Sequence, residues 1–366
     1  MRRRILFVVG TKPEAIKIAP ILIELARRGS VDARLCLSGQ HRELVYEVVR
    51  EFGLSADYDL AIMRDGQSLF DITRGVLCGL EGVLDDCRPD MVAVHGDTTT
   101  AFAAALAAFY KKIPIAHIEA GLRTDRLDSP YPEEFDRRAI DLLSTLDFTI
   151  TESARERLIG EGKDPQRIFC VGSTAIDAVR LSLESDTLVQ LPSAADGRRL
   201  MILTLHRREC GEEVRRGIMR AVRRAVAERE DTALLCPMHP APIEQKITRE
   251  ELAGEDRIIL SPPLGVTEFH RLMSRAHLIV TDSGGIEEEA PALGVPTIVA
   301  RETTERPEGL AGGVMTLAGT REEDIYREVC RLLDDAAAYA AAARPITCFG
   351  DGHAARRIAD VLEREL

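Results

Sequence analysis

Residues 91–124, MVAVHGDTTTAFAAALAAFYKKIPIAHIEAGLRT, contain the pattern that decides the fold. Two apolar runs, 91–95 and 113–118, predict strands, and the Ala-rich segment Thr99–Tyr110 between them predicts a helix. A strand, a crossover helix and a second strand form the repeating unit of a parallel sheet. The stretch therefore predicts a parallel sheet, and in such sheets ligands bind where the strands end at their carboxyl side.

Short apolar runs alternate with helical segments from one end of the 366-residue chain to the other. Segment 180–198 collects Ser, Asp, Pro and Gly, which indicates a joint between two domains. We therefore predict an α/β protein of two doubly wound Rossmann-like domains that face a central cleft, the first at 1–180 and the second at 181–348. The twelve predicted strands are 4–9, 32–37, 91–95, 113–118, 147–151, 168–171, 200–205, 232–237, 257–260, 277–281, 296–299 and 314–317.

The composition excludes several classes of protein. The net charge is −12 and aromatic residues make up only 4% with no Trp, whereas nucleic-acid binders are usually basic and use aromatic rings. No apolar run reaches the roughly 20 residues needed to cross a bilayer, and the apolar run at the N-terminus is too short for a signal peptide. The eight cysteines include no C-x-x-C pair, which fits a reducing compartment. We expect a cytoplasmic protein that binds neither nucleic acid nor membrane.

The first predicted strand runs into Gly10-Thr11-Lys12-Pro13-Glu14, a typical helix start. Thr11 and Glu14 have the spacing of a capping box, and the proline suits a first helical turn. Capping leaves Lys12 and Lys17 unexplained, and two cations near a helix N-terminus indicate an anion site. The loop has no G-x-G-x-x-G motif, so we expect no nicotinamide cofactor in this domain.

Acidic residues occur in three loops of the first domain. Asp97 and Glu119 come directly after or at the end of predicted strands, and Glu133 and Glu134 end the double-proline segment Ser129–Glu134. Carboxylates gathered in a cleft are suited to general acid–base catalysis, because proximity and burial separate their pKa values. The sequence therefore predicts a catalytic set of Asp97, Glu119 and either Glu133 or Glu134. The alternative is a structural ionic network with Arg123, Arg137 and Arg138.

The second domain presents basic and glycine-rich loops after its strands. His206-Arg207-Arg208-Glu209 follows one strand, and Thr281–Glu289 follows another, with Ser283-Gly284-Gly285 at the start of a predicted helix. Glycines there leave backbone N–H groups open to a phosphate. An acidic residue further into that helix can bind ribose hydroxyl groups, and Arg301 and Arg306 follow one strand later. We predict a diphosphate site; a flexible turn before an acidic helix face is the alternative.

These segments resemble the non-hydrolysing UDP-N-acetylglucosamine 2-epimerases in order and spacing over essentially the whole chain. The resemblance implies the fold shared with GT-B glycosyltransferases, a C-terminal helix (349–366) that returns to the first domain, and a homodimer. It implies conversion of UDP-N-acetylglucosamine (UDP-GlcNAc) to UDP-N-acetylmannosamine (UDP-ManNAc) without a metal or redox cofactor. The matching segments are Gly10–Lys17, Gly39–Glu43, His95–Thr100, His117–Thr124, Ser129–Glu134, His206–Glu209, Asp282–Pro291, Thr303–Gly309 and Gly350–Gly352.

The resemblance also implies roles for residues of the first domain. Asp97, Glu119 and Glu133 match the catalytic carboxylates of the family. Three basic residues are expected to contact substrate: Lys12, Lys17 and Arg137. Many bacterial members bind a second, activating UDP-GlcNAc through one segment of the chain. The residues that match this segment are Gln40, His41, Arg42 and Glu43.

In the second domain, the resemblance places His206 near the reacting sugar or its phosphates. It implies that Glu289 binds the ribose, that Phe269 lies against the uracil and that Arg306 contacts the substrate. The residues that would hold the diphosphate are Ser283, Gly284 and Gly285.

Several positions depart from the family pattern. Lys12 stands where Arg is usual, and a lysine lacks the planar fork with which arginine binds phosphate or carboxylate. Asp136 replaces a usual Asn, Cys210 replaces a usual Asn or Ser, and Pro240–Pro242 and Ile346–Phe349 lack a usual Asn-Pro. These departures leave the exact sugar and the activation open.

The chemistry of the reaction limits the mechanism. C2–H of the sugar has no adjacent carbonyl, so the hypothesis is that the C1–O bond breaks first and UDP leaves. A carboxylate takes the C2 proton to give a 2-acetamidoglucal, and reprotonation from the other face with return of UDP completes the inversion. The alternatives are a hydrolysing epimerase that releases ManNAc and UDP, a GT-B glycosyltransferase, and a catalytically silent nucleotide-sugar sensor.

Overall fold

The structure, a computed structural model, describes residues 2–40, 42–64, 66–205 and 211–366. The chain divides into two compact units. The first unit comprises Met1–Leu181 with Gly350–Leu366, and the second comprises Ser182–Phe349. Among the helices of the described ranges, none combines the length and the apolar character needed to cross a membrane.

The first unit is built on a sheet whose paired strands are all parallel. Its strands are β1 (Arg4–Val9), β2 (Asp32–Leu37), β3 (Tyr58–Asp59), β4 (Met91–His95), β5 (Ile115–Ala120), β6 (Leu146–Thr149) and β7 (Ile168–Cys170). Its helices are α1 (Lys12–Arg28), α2 (Arg42–Glu51), α3 (Leu69–Cys87), α4 (Thr99–Tyr110), α5 (Glu133–Leu143), α6 (Glu152–Gly160) and α7 (Thr174–Glu184).

The second unit repeats this plan with a shorter parallel sheet. Its strands are β8 (Arg199–Thr204), β9 (Thr232–Pro237), β10 (Ile258–Ser261), β11 (Leu278–Thr281), β12 (Thr297–Val299) and β13 (Met315–Leu317). Its helices are α8 (Glu212–Ala227), α9 (Pro242–Leu252), α10 (Val266–Met273), α11 (Ile286–Ala292), α12 (Pro307–Ala311), α13 (Glu322–Asp334) and α14 (Ala336–Ala342).

The last helix, α15 (Ala354–Glu365), belongs to the first unit. Asp177 accepts hydrogen bonds from the backbone N of Ala354 at 3.0 Å and of Ala355 at 2.9 Å, so a carboxylate satisfies the first N–H groups of this helix. Further along, Arg28 at the end of α1 lies 2.8 Å from Glu363. Both ends of α15 are thus attached to the same unit.

Strand order determines where each sheet can bind a ligand. The first sheet has the order β3-β2-β1-β4-β5-β6-β7, and the second has the order β10-β9-β8-β11-β12-β13. The order reverses between β1 and β4 and again between β8 and β11, and such switch points leave a crevice at the carboxyl ends of the strands. The candidate residues after β1, β4, β5 and β11 therefore lie at the edges where the fold predicts a site.

The prediction of two doubly wound α/β units is confirmed, and all twelve predicted strands are present with ends that agree within two residues. The inner strands β1, β4 and β8 are buried on both faces, so they form the continuous apolar runs from which they were predicted. The strand β3 was missed, because it is a two-residue edge strand without an apolar run.

Candidate active site

The loop after β1 packs closely on the loop after β4. A side-chain Cβ at Gly10 would lie 2.4 Å from Thr100 Oγ1 and 2.8 Å from Ser38 Oγ, distances that no real Cβ tolerates. Glycine is therefore required at position 10 because two other loops approach its backbone. Gln40, from the loop after β2, joins this contact by accepting a hydrogen bond from Thr100 Oγ1 at 2.7 Å.

Glu14 joins the same loops through its carboxylate. The predicted capping box with Thr11 is confirmed, and Glu14 also accepts hydrogen bonds from Gly10 N at 2.7 Å and from Thr98 Oγ1 at 2.5 Å. Burial raises the pKa of Glu14, these hydrogen bonds lower it, and the net direction is upward. Glu14 thus fixes the positions of the turns that carry the candidate site residues.

Glu119 projects from an irregular point of β5. The register with β6 shifts between Ile118 and Ala120, and Glu119 itself has φ 68°, in the left-handed region that favours glycine. A β-bulge re-aims a side chain, and local strain of this kind is concentrated at functional sites. The carboxylate pairs with Lys17 Nζ and lies 3.6 Å from His95 Nε2.

Two residues beside Glu119, His95 and Lys17, are both buried. Burial lowers the pKa of His95 to about 3, so its imidazole is neutral near pH 7. Lys17, predicted as part of an anion site with Lys12, directs its ammonium at Glu119, whereas Lys12 on the same helix is partly exposed. The charge of Lys17 therefore fixes a candidate catalytic carboxylate.

Asp97 lies in the turn after β4 and forms an ion pair with Arg137 on α5. Glu134 is fully buried, where it accepts a hydrogen bond from Thr124 N at 3.0 Å and lies 2.7 Å from Arg138. The predicted structural network is therefore present at Glu134. Glu133, at the first turn of α5, is only half-buried, so it is the better candidate of the adjacent pair.

Asp136 is a titratable group of the site that sequence reasoning noted only as a departure from the family pattern. Its side chain is buried and accepts a hydrogen bond from Thr99 Oγ1 at 3.1 Å. Burial, followed by repulsion from Asp97 and Glu133, raises the pKa of Asp136 to about 7. This repulsion indicates that Asp136 lies near both the Asp97 turn and Glu133 at the start of α5.

The variant Asp136→Asn tests this environment through the pH dependence of stability. The carboxyl has a pKa near 3.9 when unfolded and about 7 when folded, so its ionised form destabilises the protein above pH 7 and this cost disappears as the pH falls toward 4. We expect Asp136→Asn to stabilise the protein by about 1–3 kcal/mol at pH 8 and to have little effect at pH 4.5. Urea denaturation at both pH values measures the difference; equal effects at both would contradict a raised pKa.

Two predicted residues of the site lie outside the described residues, namely His41 and His206, as does Cys210. The side chain of Arg42 is likewise not described, and Glu43 is exposed at the start of α2. Sequence reasoning assigned no role to His95 and His117, although both end up in the strands that carry Asp97 and Glu119. Their position in the sequence could have indicated a role, since a histidine in a buried strand needs a polar partner.

In the second unit, the loop after β11 is shaped by threonines and glycines. Thr281 and Thr204 share a hydrogen bond of 2.7 Å, and Ser283 N donates to Thr281 Oγ1 at 3.0 Å. A Cβ at Gly284 would lie 2.8 Å from an Arg306 guanidinium nitrogen. The absence of a side chain at Gly284 therefore allows the close approach of Arg306 to the backbone of this loop.

The acidic start of α11 divides into two groups of residues. Glu287 and Glu288 are fully buried and pair with arginines, Glu287 with Arg301 at 3.0 Å and Glu288 with Arg306. Glu289 is 8% exposed and lies 3.7 Å from His270. Of the three, Glu289 is thus the one whose carboxylate lacks an arginine partner among the ion pairs of the described residues. Phe269, the predicted uracil contact, precedes His270 on α10 and is half-buried.

One buried group in the described part of the chain has side chains suited to a metal ion: His117, Asp141 and Asp147. Arg123 lies 2.7 Å from Asp141 and Lys163 lies 2.9 Å from Asp147, so cations already accompany both carboxylates. The arrangement is that of an ionic network within the first unit.

Comparison with known proteins identifies similar sequences over nearly the whole chain. The family described as UDP-N-acetylglucosamine 2-epimerase matches residues 23–363. The UDP-N-acetylglucosamine 2-epimerase of Campylobacter jejuni is 41% identical over 374 residues, which cover 99% of this chain and 98% of that protein.

Solved structures give the same result. The crystal structure of UDP-GlcNAc 2-epimerase from Neisseria meningitidis bound to UDP-GlcNAc is 38% identical, with a TM-score of 0.92 and coverage of 99% of this chain and 100% of that chain. The Methanocaldococcus jannaschii UDP-GlcNAc 2-epimerase in complex with UDP-GlcNAc and UDP is 30% identical, with a TM-score of 0.84 and coverage of 99% of both chains.

Proposed function

We propose that this chain, which belongs to the UDP-N-acetylglucosamine 2-epimerase family, interconverts UDP-GlcNAc and UDP-ManNAc by inverting C2 of the sugar without net hydrolysis. The observation that carries the proposal is the gathering of Asp97, Glu119 and Glu133 at the carboxyl edge of the first sheet. Arg137 orients Asp97, and Lys17 orients Glu119. The negative charges of Asp97 and Glu133 contribute to the raised pKa of Asp136. Oriented carboxylates in partly buried positions are what proton transfer at carbon requires.

The reaction begins with departure of UDP, because C2–H is not acidic enough for direct removal. The C1–O bond breaks and its electron pair leaves with the diphosphate. A carboxylate takes the C2 proton, and the electrons of the C2–H bond form the double bond of 2-acetamidoglucal. Addition of a proton to the opposite face of C2 and attack of UDP on C1 give the epimer, so atoms and charge balance without a cofactor.

We assign the two proton transfers to Asp97 and to Glu119 or Glu133, without a fixed order. Two groups on different loops suit an inversion, since one proton must leave one face of C2 and another must arrive at the opposite face. The neutral His95, 3.6 Å from Glu119, supports this use of Glu119, because it adds no second positive charge to that of Lys17 and so leaves the carboxylate able to accept a proton.

We assign UDP binding to the second unit. The hydroxyl of Ser283 and the backbone N–H groups of Gly284 and Gly285 would bind the diphosphate, and Glu289 would bind the ribose. Phe269 would lie against the uracil, and Arg306 would place a guanidinium beside Gly284. From the family resemblance, we also propose that His206 lies near the phosphates.

The variant Gly284→Ala tests the diphosphate assignment. Its methyl group would meet the Arg306 guanidinium at 2.8 Å, so either the loop or the arginine must move. We expect about 10- to 100-fold weaker UDP binding by isothermal titration calorimetry, equivalent to roughly 1.4–2.8 kcal/mol. Gly82→Ala on α3 is the control for a glycine substitution, because a Cβ there would meet nothing within 4 Å, and equal UDP affinity in Gly284→Ala and wild type would contradict the assignment.

Incubation of wild-type protein with UDP-GlcNAc in deuterium oxide tests the whole proposal. We expect UDP-ManNAc to form, deuterium to appear at C2 in both nucleotide sugars, and phosphorus NMR to show no net accumulation of UDP. Accumulation of UDP with ManNAc would indicate the hydrolysing epimerase instead. Tight binding of UDP-GlcNAc without deuterium at C2 would indicate a silent sensor.

We further propose a homodimer and activation by a second UDP-GlcNAc at Gln40, His41, Arg42 and Glu43. The hydrogen bond between Gln40 and Thr100 Oγ1 supports the activation proposal, since Thr100 lies in the first turn of α4, directly after the Asp97 turn. Sedimentation velocity reports the oligomeric state, and the reverse reaction from UDP-ManNAc should accelerate when UDP-GlcNAc is added.

A further inference from the structure

His117 lies on β5 inside the first unit and is completely buried. Its Nδ1 is 2.6 Å from Asp141 Oδ1, and its Nε2 is 2.7 Å from the carbonyl oxygen of Gly96. Both ring nitrogens therefore have a partner within the protein. One partner belongs to α5 and the other to the turn that carries Asp97.

Neither partner of the ring is suited to donate a hydrogen bond. A backbone carbonyl has no hydrogen to give, so Nε2 must carry one. Asp141 also lies 2.7 Å from Arg123 Nη1 and accepts from Gly121 N at 3.4 Å, which favours its ionised form. Nδ1 must then carry a hydrogen as well, and a ring with hydrogens on both nitrogens is an imidazolium.

The surrounding charges support this state. Burial lowers the pKa of His117, but the charge and hydrogen bond of Asp141 outweigh it, and the net direction is upward. Burial likewise raises the pKa of Asp141, and His117 and Arg123 bring it below its usual range. The other charged or titratable groups around the pair are Asp147 on β6, Lys163 paired with Asp147, Glu161 paired with Arg123, and His95 on β4.

The Nε2–H of His117 donates a hydrogen bond to the carbonyl of the peptide between Gly96 and Asp97. Gly96 has φ 65°, and its N donates to Ile118 O at 2.8 Å, so this turn is attached to β5 from both its N–H and its carbonyl. The carbonyl of Gly96 belongs to the same rigid peptide plane as the N of Asp97. Loss of the bond from His117 would leave that plane able to rotate.

We propose that His117 is a positioning residue that remains an imidazolium at neutral pH and holds the Gly96–Asp97 peptide in the orientation that proton transfer by Asp97 needs. The part concerning Asp97 rests on the proposed epimerase function. The stabilisation by His117 is complete below the unfolded pKa of about 6.5 and is lost as the pH rises through the higher folded-state pKa. Alkaline pH should therefore loosen the Asp97 turn.

Nitrogen NMR of protein labelled with ¹⁵N-histidine tests the charge directly, with His117→Gln used to assign the resonances. We expect both ring nitrogens of His117 to carry hydrogens at pH 7, and to lose one only at a pH clearly above 6.5. An unprotonated ring nitrogen at pH 7 overturns the proposal, as does a stoichiometric metal ion bound to His117. This experiment needs no substrate, so it decides the charge even if the epimerase proposal fails.

Kinetics of His117→Gln test the positioning role. A glutamine amide cannot replace both N–H groups, so we expect kcat to fall by about 10- to 100-fold while KM changes by no more than about 3-fold. His353→Gln, at an exposed histidine of the same unit, is the matched control and should leave both constants unchanged. A variant that loses thermal stability but retains wild-type kcat would show a purely structural histidine and overturn the proposal.

Discussion

Replacing Asp97 by Asn is expected to lower the rate of epimerisation by about 1,000-fold and to slow the incorporation of solvent deuterium at C2 to the same degree, because general acid–base groups contribute about 100- to 10,000-fold. Asparagine has nearly the same shape and keeps one oxygen that can accept a hydrogen bond from Arg137. It cannot hold the proton that leaves C2. The measured quantities are kcat with UDP-GlcNAc and the rate of deuterium incorporation by proton NMR.

The control for Asp97→Asn is a surface aspartate that also has a cationic partner. Asp85 lies 2.7 Å from Lys111 with 65% of its side chain exposed, so Asp85→Asn should leave kcat and deuterium incorporation unchanged. Affinity for UDP should be the same in both variants, since the proposed diphosphate site involves other residues. Deuterium incorporation at the wild-type rate in Asp97→Asn would remove Asp97 from the proton transfers.

The sequence was sufficient for the fold because buried parallel strands leave a clear signal. Each inner strand is a continuous apolar run between segments of helical period, and this pattern depends little on the rest of the chain. The strand at Tyr58–Asp59 carries no such signal, since only its pairing with β2 makes it a strand. Edge strands of this kind depend on tertiary contacts that a local pattern cannot report.

The sequence located the candidate carboxylates but could not divide them by role. Glu133 and Glu134 are neighbours, yet successive helical residues point about 100° apart, so one can be half-exposed while the other is enclosed by arginines. Lys12 and Lys17 diverge in the same way on α1, where Lys17 is buried against Glu119 and Lys12 is partly exposed. Such directions are fixed by the packing of whole elements.

The pairing of His117 with Gly96 also required the structure. These residues are 21 positions apart and belong to different strands, so no spacing in the sequence connects them. Their contact follows from the adjacency of β4 and β5 in the sheet. Sequence motifs therefore predicted which segments carry the candidate site, and the hydrogen bonds show how residues of these segments hold one another.

Replacing Glu119 by Gln is expected to damage both stability and catalysis. Glu119 and Lys17 have only 11% and 8% of their side chains exposed, and removing one partner of a buried ion pair costs about 3–5 kcal/mol because a charge remains in an apolar environment. We expect about 3 kcal/mol lower stability in urea denaturation and at least about 100-fold lower kcat. Glu323→Gln, in an exposed pair with Arg224, should change stability by less than about 0.5 kcal/mol.

The double variant Lys17→Met with Glu119→Gln separates the two effects of Glu119. Methionine removes the buried ammonium, so most of the lost stability should return, as it does when apolar groups replace both members of a buried pair. The carboxylate is still absent, and kcat should therefore stay at least about 100-fold below that of the wild type. Recovery of kcat together with stability would mean that Glu119 serves only to hold Lys17, and the second proton transfer would then belong to Glu133.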